Sequence, residues 1–242
     1  MPPFFSLPHI EDSPKHIRVL LGGKYVIDTK QAKLVWEHTY YPVYFFRQTD
    51  IEKEYLDFKS DVGDSAVYDV VVGQKRAKEA AKSYSMGQLA GLIKLDFGAM
   101  DSWFEEDEEI FIHPKDPYKR VDVAQSSRHV RVEVSGVEVA NTRAPRFLYE
   151  TGLPVRTYIP KTDCRLDLLV TSDLKTGCPY KGFAQYYHVQ VSPGKKVDNI
   201  VWWYDAPNLE CAGIRGYVAF YDEKVDVWVD GQKQERPKSK WS

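Results

Sequence analysis

The chain has 242 residues, enough for one large domain or two of about 100–150 residues. With 43% hydrophobic and 28% charged residues its composition is globular, which excludes a disordered or collagen-like chain. Thirty-three Lys and Arg stand against 35 Asp and Glu, and a net charge of −2 argues against a basic nucleic-acid surface or an acidic tail as the main feature.

From the N-terminus, Met1 to Pro8 has no basic stretch leading into an apolar run, so no secretory signal is expected. No segment approaches about 18 uninterrupted apolar residues, and no membrane association is expected. Beyond this the chain repeats itself. His16-Ile17-Arg18-Val19 recurs as His129-Val130-Arg131-Val132, an offset of 113. At that offset Gly23 meets Gly136, Val26 meets Val139, Thr29 meets Thr142, Glu37 meets Glu150, Thr49 meets Thr162 and Asp50 meets Asp163. Near the ends of the copies, Phe104-Glu105-Glu106 resembles Tyr221-Asp222-Glu223, and Ile110-Phe111-Ile112 resembles Val227-Trp228-Val229. We expect two homologous domains, 15–120 and 128–232, joined by the polar stretch Lys115–Arg128, with a frayed polar tail at 233–242.

In the first copy, Gln74–Tyr84 is rich in Lys, Arg and Ala and reads as a helix with a solvated charged face. In the second copy, Arg131–Ser135 and Val137–Ala140 alternate around Ser135-Gly136 as a hairpin does. Pro154–Tyr158, Ala184–Val191, Asn199–Tyr204, Gly216–Tyr221 and Val225–Val229 follow as short strands bounded by Gly, Pro, Asp or Asn. The expected class is mainly β: two homologous small antiparallel domains, each a barrel or folded sheet, with minor helix.

Chemistry-bearing residues crowd the second copy. Tyr158 to Arg165 comes first, then Gly177 to Gly182, then Gln185 to His188, Trp202 to Pro207 and Gly216 to Tyr221. The Gly and Pro around Cys178 make a tight turn that aims Tyr180 and Lys181 at one place. Aromatic residues on alternating strand positions line one wall, so one of Trp202 and Trp203 faces it and the other does not. Packing is the competing reading for every one of these rings. Cys178 fits a small buried hydrophobe as well as a nucleophile with His188 as base. Asp163 and Arg165 read as a structural pair or as oriented charge for a ligand. Cys164, Cys178 and Cys211 are too few for a disulfide framework and suggest a reducing, cytosolic setting, and their spacing argues against zinc.

These motifs resemble the family known as domain of unknown function 427, sometimes labelled nucleotidyltransferase-like. The resemblance rests on Tyr158, Pro160 and Asp163; on Cys178–Gly182; on Trp202, Tyr204 and Pro207; on Gly216–Tyr221; and on Val225–Gly231. It implies a compact, mostly β, tent-like fold with a pocket lined by those motifs. The first copy keeps Asp50 but has no Cys-Pro-Tyr-Lys equivalent in Asp61–Tyr68, which suggests a degenerate partner. The transferase label finds no support in the residues: Gly22-Gly23 is followed by no Asp-x-Asp, and Glu105–Glu109 reads as a solvated turn.

We therefore expect a cytosolic protein that binds or transforms a small organic metabolite in the second copy, without cofactor or metal. Tyr158, Arg165, Tyr186, Trp202, Tyr204 and Tyr217 are the candidate binding residues. Asp163, Tyr180, Lys181 and Cys178 are the candidate catalytic ones, with Tyr180 or Asp163 moving a proton and Lys181 stabilising negative charge. The alternatives are a non-enzymatic aromatic cage for a cationic group, or an interaction scaffold.

Overall fold

The computed structural model describes residues 5–239. The chain forms two compact units that meet between Asp116 and Pro117. In the first unit the strands are β1 (His9–Asp12), β2 (Ile17–Leu21), β3 (Lys24–Thr29), β4 (Lys33–Trp36), β5 (Val43–Arg47), β6 (Leu56–Val62), β7 (Ser65–Val72), β8 (Lys75–Tyr84), β9 (Leu92–Leu95), β10 (Ser102–Glu105) and β11 (Glu108–Ile110). In the second they are β12 (Val121–Gln125), β13 (Val130–Val134), β14 (Val137–Thr142), β15 (Arg146–Glu150), β16 (Arg156–Pro160), β17 (Leu169–Cys178), β18 (Gly182–Ser192), β19 (Lys195–Tyr204), β20 (Tyr217–Phe220), β21 (Asp226–Val229) and β22 (Gln232–Lys233).

Each unit has a seven-stranded and a four-stranded antiparallel sheet. The orders β1-β4-β5-β9-β8-β7-β6 and β11-β10-β2-β3 recur as β12-β15-β16-β20-β19-β18-β17 and β22-β21-β13-β14. The sheets are open, not the closed barrels allowed for above; in each unit the two pack face to face. Ile17, Val19 and Ile27 of the small sheet meet Phe46, Ile93 and Leu95 of the large one, and Val130, Val132 and Val139 meet Ile159, Val218 and Phe220. Burying these aliphatic and aromatic rows is the main driving force for each sandwich.

The first hairpin of each unit shows why the repeat was visible. Gly22-Gly23 and Ser135-Gly136 have φ of 57° and 78°, and 52° and 80°, the left-handed pairs of a two-residue turn whose twist matches the strands. The recurring histidines brace the same place. The His16 ring lies 2.5 Å from the Asp28 carboxylate, and the His129 ring lies 2.7 Å from Asn141 Oδ1. Their backbone N–H groups donate to Glu106 and Asp230 at 2.9 and 3.0 Å.

Three sequence readings are corrected. Gln74–Tyr84 is not a helix but the hairpin strand β8, and the helical content consists of short 3₁₀ turns. Its helix-forming composition conceals a bulge. Glu79 has φ 50° and its N–H donates to Asp69, and β8 carries two more residues than β7 between the Tyr68–Ala81 and Val70–Ala77 pairs. The second unit has its bulge at the matching place, where the N–H of Asn199 (φ 51°) donates to His188 Nδ1. The tail is tied down as far as it is described: Gln232 and Lys233 form β22, Arg236 pairs with Asp226, and Ser239 bonds Glu223. Residues 240–242 of that tail, and 1–4 at the N-terminus, lie outside the described residues. Finally, β10 and β21 hold the same position against β2 and β13, so Phe104 corresponds to Trp228 and not to Tyr221. Among the described residues no helix is long and apolar enough to cross a membrane.

The bulges predict a position-specific sensitivity. Glu79→Val and Asn199→Val place a β-branched residue at left-handed φ, and each is expected to lower stability in chemical unfolding by about 1–2 kcal/mol. Lys78→Val, at the neighbouring exposed position, is expected to change it little.

Candidate functional site

The candidate site of the second unit is built on the outer face of its seven-stranded sheet. Tyr186, Trp202, Ala219 and Tyr158 lie directly opposite one another on four successive strands. Alternation along β19 puts Trp202 on this face and Trp203 on the inner one. Ala219 has no bulk between its neighbours, and Trp202 Nε1 reaches across it to donate to Tyr158 Oη at 3.1 Å, with the rings edge to face. Tyr186 shares a hydrogen bond of 2.7 Å with Thr176, and Tyr204 stands one row further along. Tyr158 is fully buried and Tyr186, Trp202 and Tyr204 nearly so. Burial pushes the phenols of Tyr158, Tyr204 and Tyr221 above their ordinary value, so they stay neutral.

The turn after β17 brings the charge. Gly182 has φ 97°, and a Cβ there would come within 3.1 Å of the Ala206 carbonyl, so the turn and the 205–208 loop are in close contact. Asn208 fastens them: its side chain donates to Pro179 O at 2.8 Å and its N–H to Lys181 O at 3.1 Å. From Asn208 the 3₁₀ turn Leu209–Ile214 runs back over the sheet and buries Cys211 and Ile214 against the aromatic cluster. Under this roof the Lys181 ammonium pairs with the Glu150 carboxylate and lies 3.8 Å from Cys178 Sγ. Burial opposes the Lys181 charge, but Cys178 and Glu150 outweigh it and hold the pKa above its ordinary value. Burial raises the Cys211 thiol to about 11. Lys181 therefore stays charged, with Glu150 as its counter-ion.

Beside the cluster sits a second ionic group. Arg156 donates to both oxygens of Glu223, at 2.8 and 2.6 Å, with its guanidinium 5.6 Å from the centre of the Trp202 ring. Burial works against the Glu223 carboxylate, but its bonds from Arg156 and Ser239 bring it down to about 2. Asp222, whose carboxylate is 3.8 Å from Arg156, goes the other way: burial raises it to about 7 in spite of the arginine.

The structure brings together Tyr158, Tyr186, Trp202 and Tyr204, with Cys178 and Lys181 at the turn beside them and Tyr180 buried in that turn. Tyr217 packs at the edge, under the Arg146 guanidinium at 4.8 Å. Asp163 and Arg165 do not form the expected pair. Asp163 accepts from Thr142 at 2.6 Å, on the side of the small sheet, and exposed Arg165 grips Asp167 at 2.8 and 2.6 Å. On the inner face Tyr187 stacks on Trp203, and the ammonium of Lys161 lies 3.1 Å from the Trp203 ring centre. That pair of rings already holds a cation of its own chain. Sequence reasoning missed Arg156, which carries no local motif, and saw Asp222 and Glu223 only as part of a repeat resemblance. It saw Glu150 as a repeat identity without its role; Glu37 at the same position pairs with Lys94 at 2.6 Å.

The two units also have cavities at one shared place, where β5 begins beside the end of β9 and β16 begins beside the end of β20. In the second unit the cavity has about 300 Å³ and is lined by Phe147, Thr157, Asp222 and the segment after β22. In the first it has about 630 Å³ and is lined by Tyr44, Phe97, Trp103 and the segment after β11.

The architecture defines a tandem protein of two open, two-sheet β units with one buried aromatic and ionic cluster. The chain belongs to the family described as a domain of unknown function (DUF427), which matches residues 9–106 and again 122–231. The first copy is thus a member of the family as well. No curated protein matches the chain.

Two predictions follow from the charges. Lys181→Met strands Glu150 with Lys119 at 4.0 Å as its remaining cation, and is expected to cost about 3–5 kcal/mol in unfolding. The double variant Lys181→Met/Glu150→Leu is expected to recover most of that. Asp222 binds its proton more tightly folded than unfolded, so its ionisation makes stability fall as pH rises from about 4 to about 7. Glu223 acts oppositely: its contribution is present above the ordinary carboxylate range and is lost as pH falls towards about 2. Thermal unfolding of Asp222→Asn across pH 4–7 is expected to lack the decline.

Proposed function

We propose that the second unit binds a small organic molecule at the Cys178–Gly182 turn, with Lys181 as the charged anchor and Tyr186, Trp202 and Tyr204 as the apolar walls. The observation that carries this reading is the buried Lys181–Glu150 pair beside Cys178, beneath the 3₁₀ turn. Burying two charges opposes folding, and a well-packed apolar pair serves stability as well or better. A fixed cation next to a thiol and neutral phenols suits a ligand that carries or develops negative charge. Any reaction on it would be cofactor-independent acid–base chemistry, with Lys181 stabilising the charge. Glu150 joins the site, and Asp163 and Arg165 leave it. The three free cysteines fit work in the reducing cytosol.

Native mass spectrometry of the protein incubated with a small-metabolite extract tests this. An added mass on wild type that Lys181→Met/Glu150→Leu and Trp202→Phe both lose is the expected result. An added mass held equally by all three, each folded, would overturn the assignment.

A further inference from the structure

The pairing registers let the two units be compared residue by residue. In the first, Phe45, Lys94 and Lys82 lie opposite one another; in the second, Tyr158, Ala219 and Trp202 do. Lys82 therefore stands where Trp202 stands. Two residues away along the chains, Val43 matches Arg156 and Asp96 matches Tyr221. In the second unit these bulky groups fill the space: Arg156 lies over the Trp202 ring and Tyr221 packs 4.6 Å from it. In the first unit Val43, Lys82 and Asp96 leave it open, and all three line the cavity of about 630 Å³. That volume is ample for one small metabolite.

The walls define the chemistry. Trp103 is held in place by its Nε1 bond to Phe97 O at 3.1 Å, and the two rings stack at 5.0 Å. Tyr44 is fixed by Glu105 at 2.8 Å. These rings form a rigid apolar surface for a planar ring. Among the lining charges, Glu37 is neutralised by Lys94, and Asp96 accepts the Gly98 N–H at 3.0 Å. Lys82, whose ammonium lies 5.4 Å from the Tyr84 ring centre, and Glu79, also lining residues, have no ion-pair partner among the described residues. The cavity thus presents an aromatic wall, one lysine outside any ion pair, and two carboxylates, Glu79 and Asp96, without a cation.

We propose that the first unit is a second, independent binding site, and that it takes a free aromatic amino acid. The ring lies in this cavity, the carboxylate pairs with Lys82 and the ammonium with Glu79. The site owes nothing to Lys181 or Glu150, so it stands or falls separately from the site proposed above.

Isothermal titration calorimetry on the full chain tests it, with L-tryptophan, indole-3-acetate and tryptamine as probes. The expected result is that tryptophan binds, and that each analogue lacking one charge binds about tenfold more weakly or worse. Lys82→Trp, which installs the second unit's own filler, is expected to abolish binding with the fold intact by circular dichroism. Lys82→Met guards against misfolding of that variant: it is expected to weaken tryptophan about tenfold and to leave tryptamine unchanged. Lys181→Met/Glu150→Leu is expected to bind tryptophan as wild type does. Absence of tryptophan binding, equal binding of all three probes, or tryptophan binding unchanged in Lys82→Met would overturn the proposal.

Discussion

A seven-stranded sheet has two faces, and in each unit a four-stranded sheet covers one of them. The inner faces are solved alike, with aliphatic and aromatic rows meeting in the same strand order. The outer faces have no second sheet, and the two copies differ in how each covers that face. The second unit uses a row of rings and a 3₁₀ roof. The first uses a smaller apolar patch around Phe45 and leaves lysines beside it.

Ala219 links several features of the second unit causally. The Trp202–Tyr158 hydrogen bond crosses β20 at this residue, so a larger side chain there would separate the two rings. The first unit has Lys94 at the matching position, and Lys94 supplies the counter-ion for Glu37. The second unit keeps the carboxylate as Glu150 but has no room for a lysine on β20. Its cation comes from the turn after β17 instead, as Lys181. Holding that turn against the sheet requires a glycine at φ 97° and the two bonds of Asn208. The Cys-Pro-Tyr-Lys-Gly motif is, in these terms, the second way of neutralising a carboxylate that both copies share.

The β class, the duplication and the membership of the aromatic cluster were legible because each rests on short-range pattern: alternation, turn residues and repeated identities. The bulge in β8 was not, because its Ala-, Lys- and Arg-rich composition suits a helix, and the strand is imposed by pairing with β7 and by the distant Asp69 acceptor. The ion pairs were illegible for a related reason. Asp163 and Arg165 are neighbours in sequence, yet each has a better partner in Thr142 and Asp167. Arg156 and Glu223 are 67 residues apart and meet only because β16 and β20 are adjacent.

Motif density and openness run in opposite directions in this chain. The copy with the fuller set of aromatic motifs has the smaller cavity, about 300 Å³ against about 630 Å³. Trp202, Arg156 and Tyr221 pack on one another, and a ring that packs against its own sheet is no longer available to a ligand. Replacing that trio by Lys82, Val43 and Asp96 removes the filling but keeps the scaffold, because the inner core does not depend on it. Loss of the motif in the first copy is therefore not loss of a cavity: Val43, Lys82 and Asp96 line one of about 630 Å³.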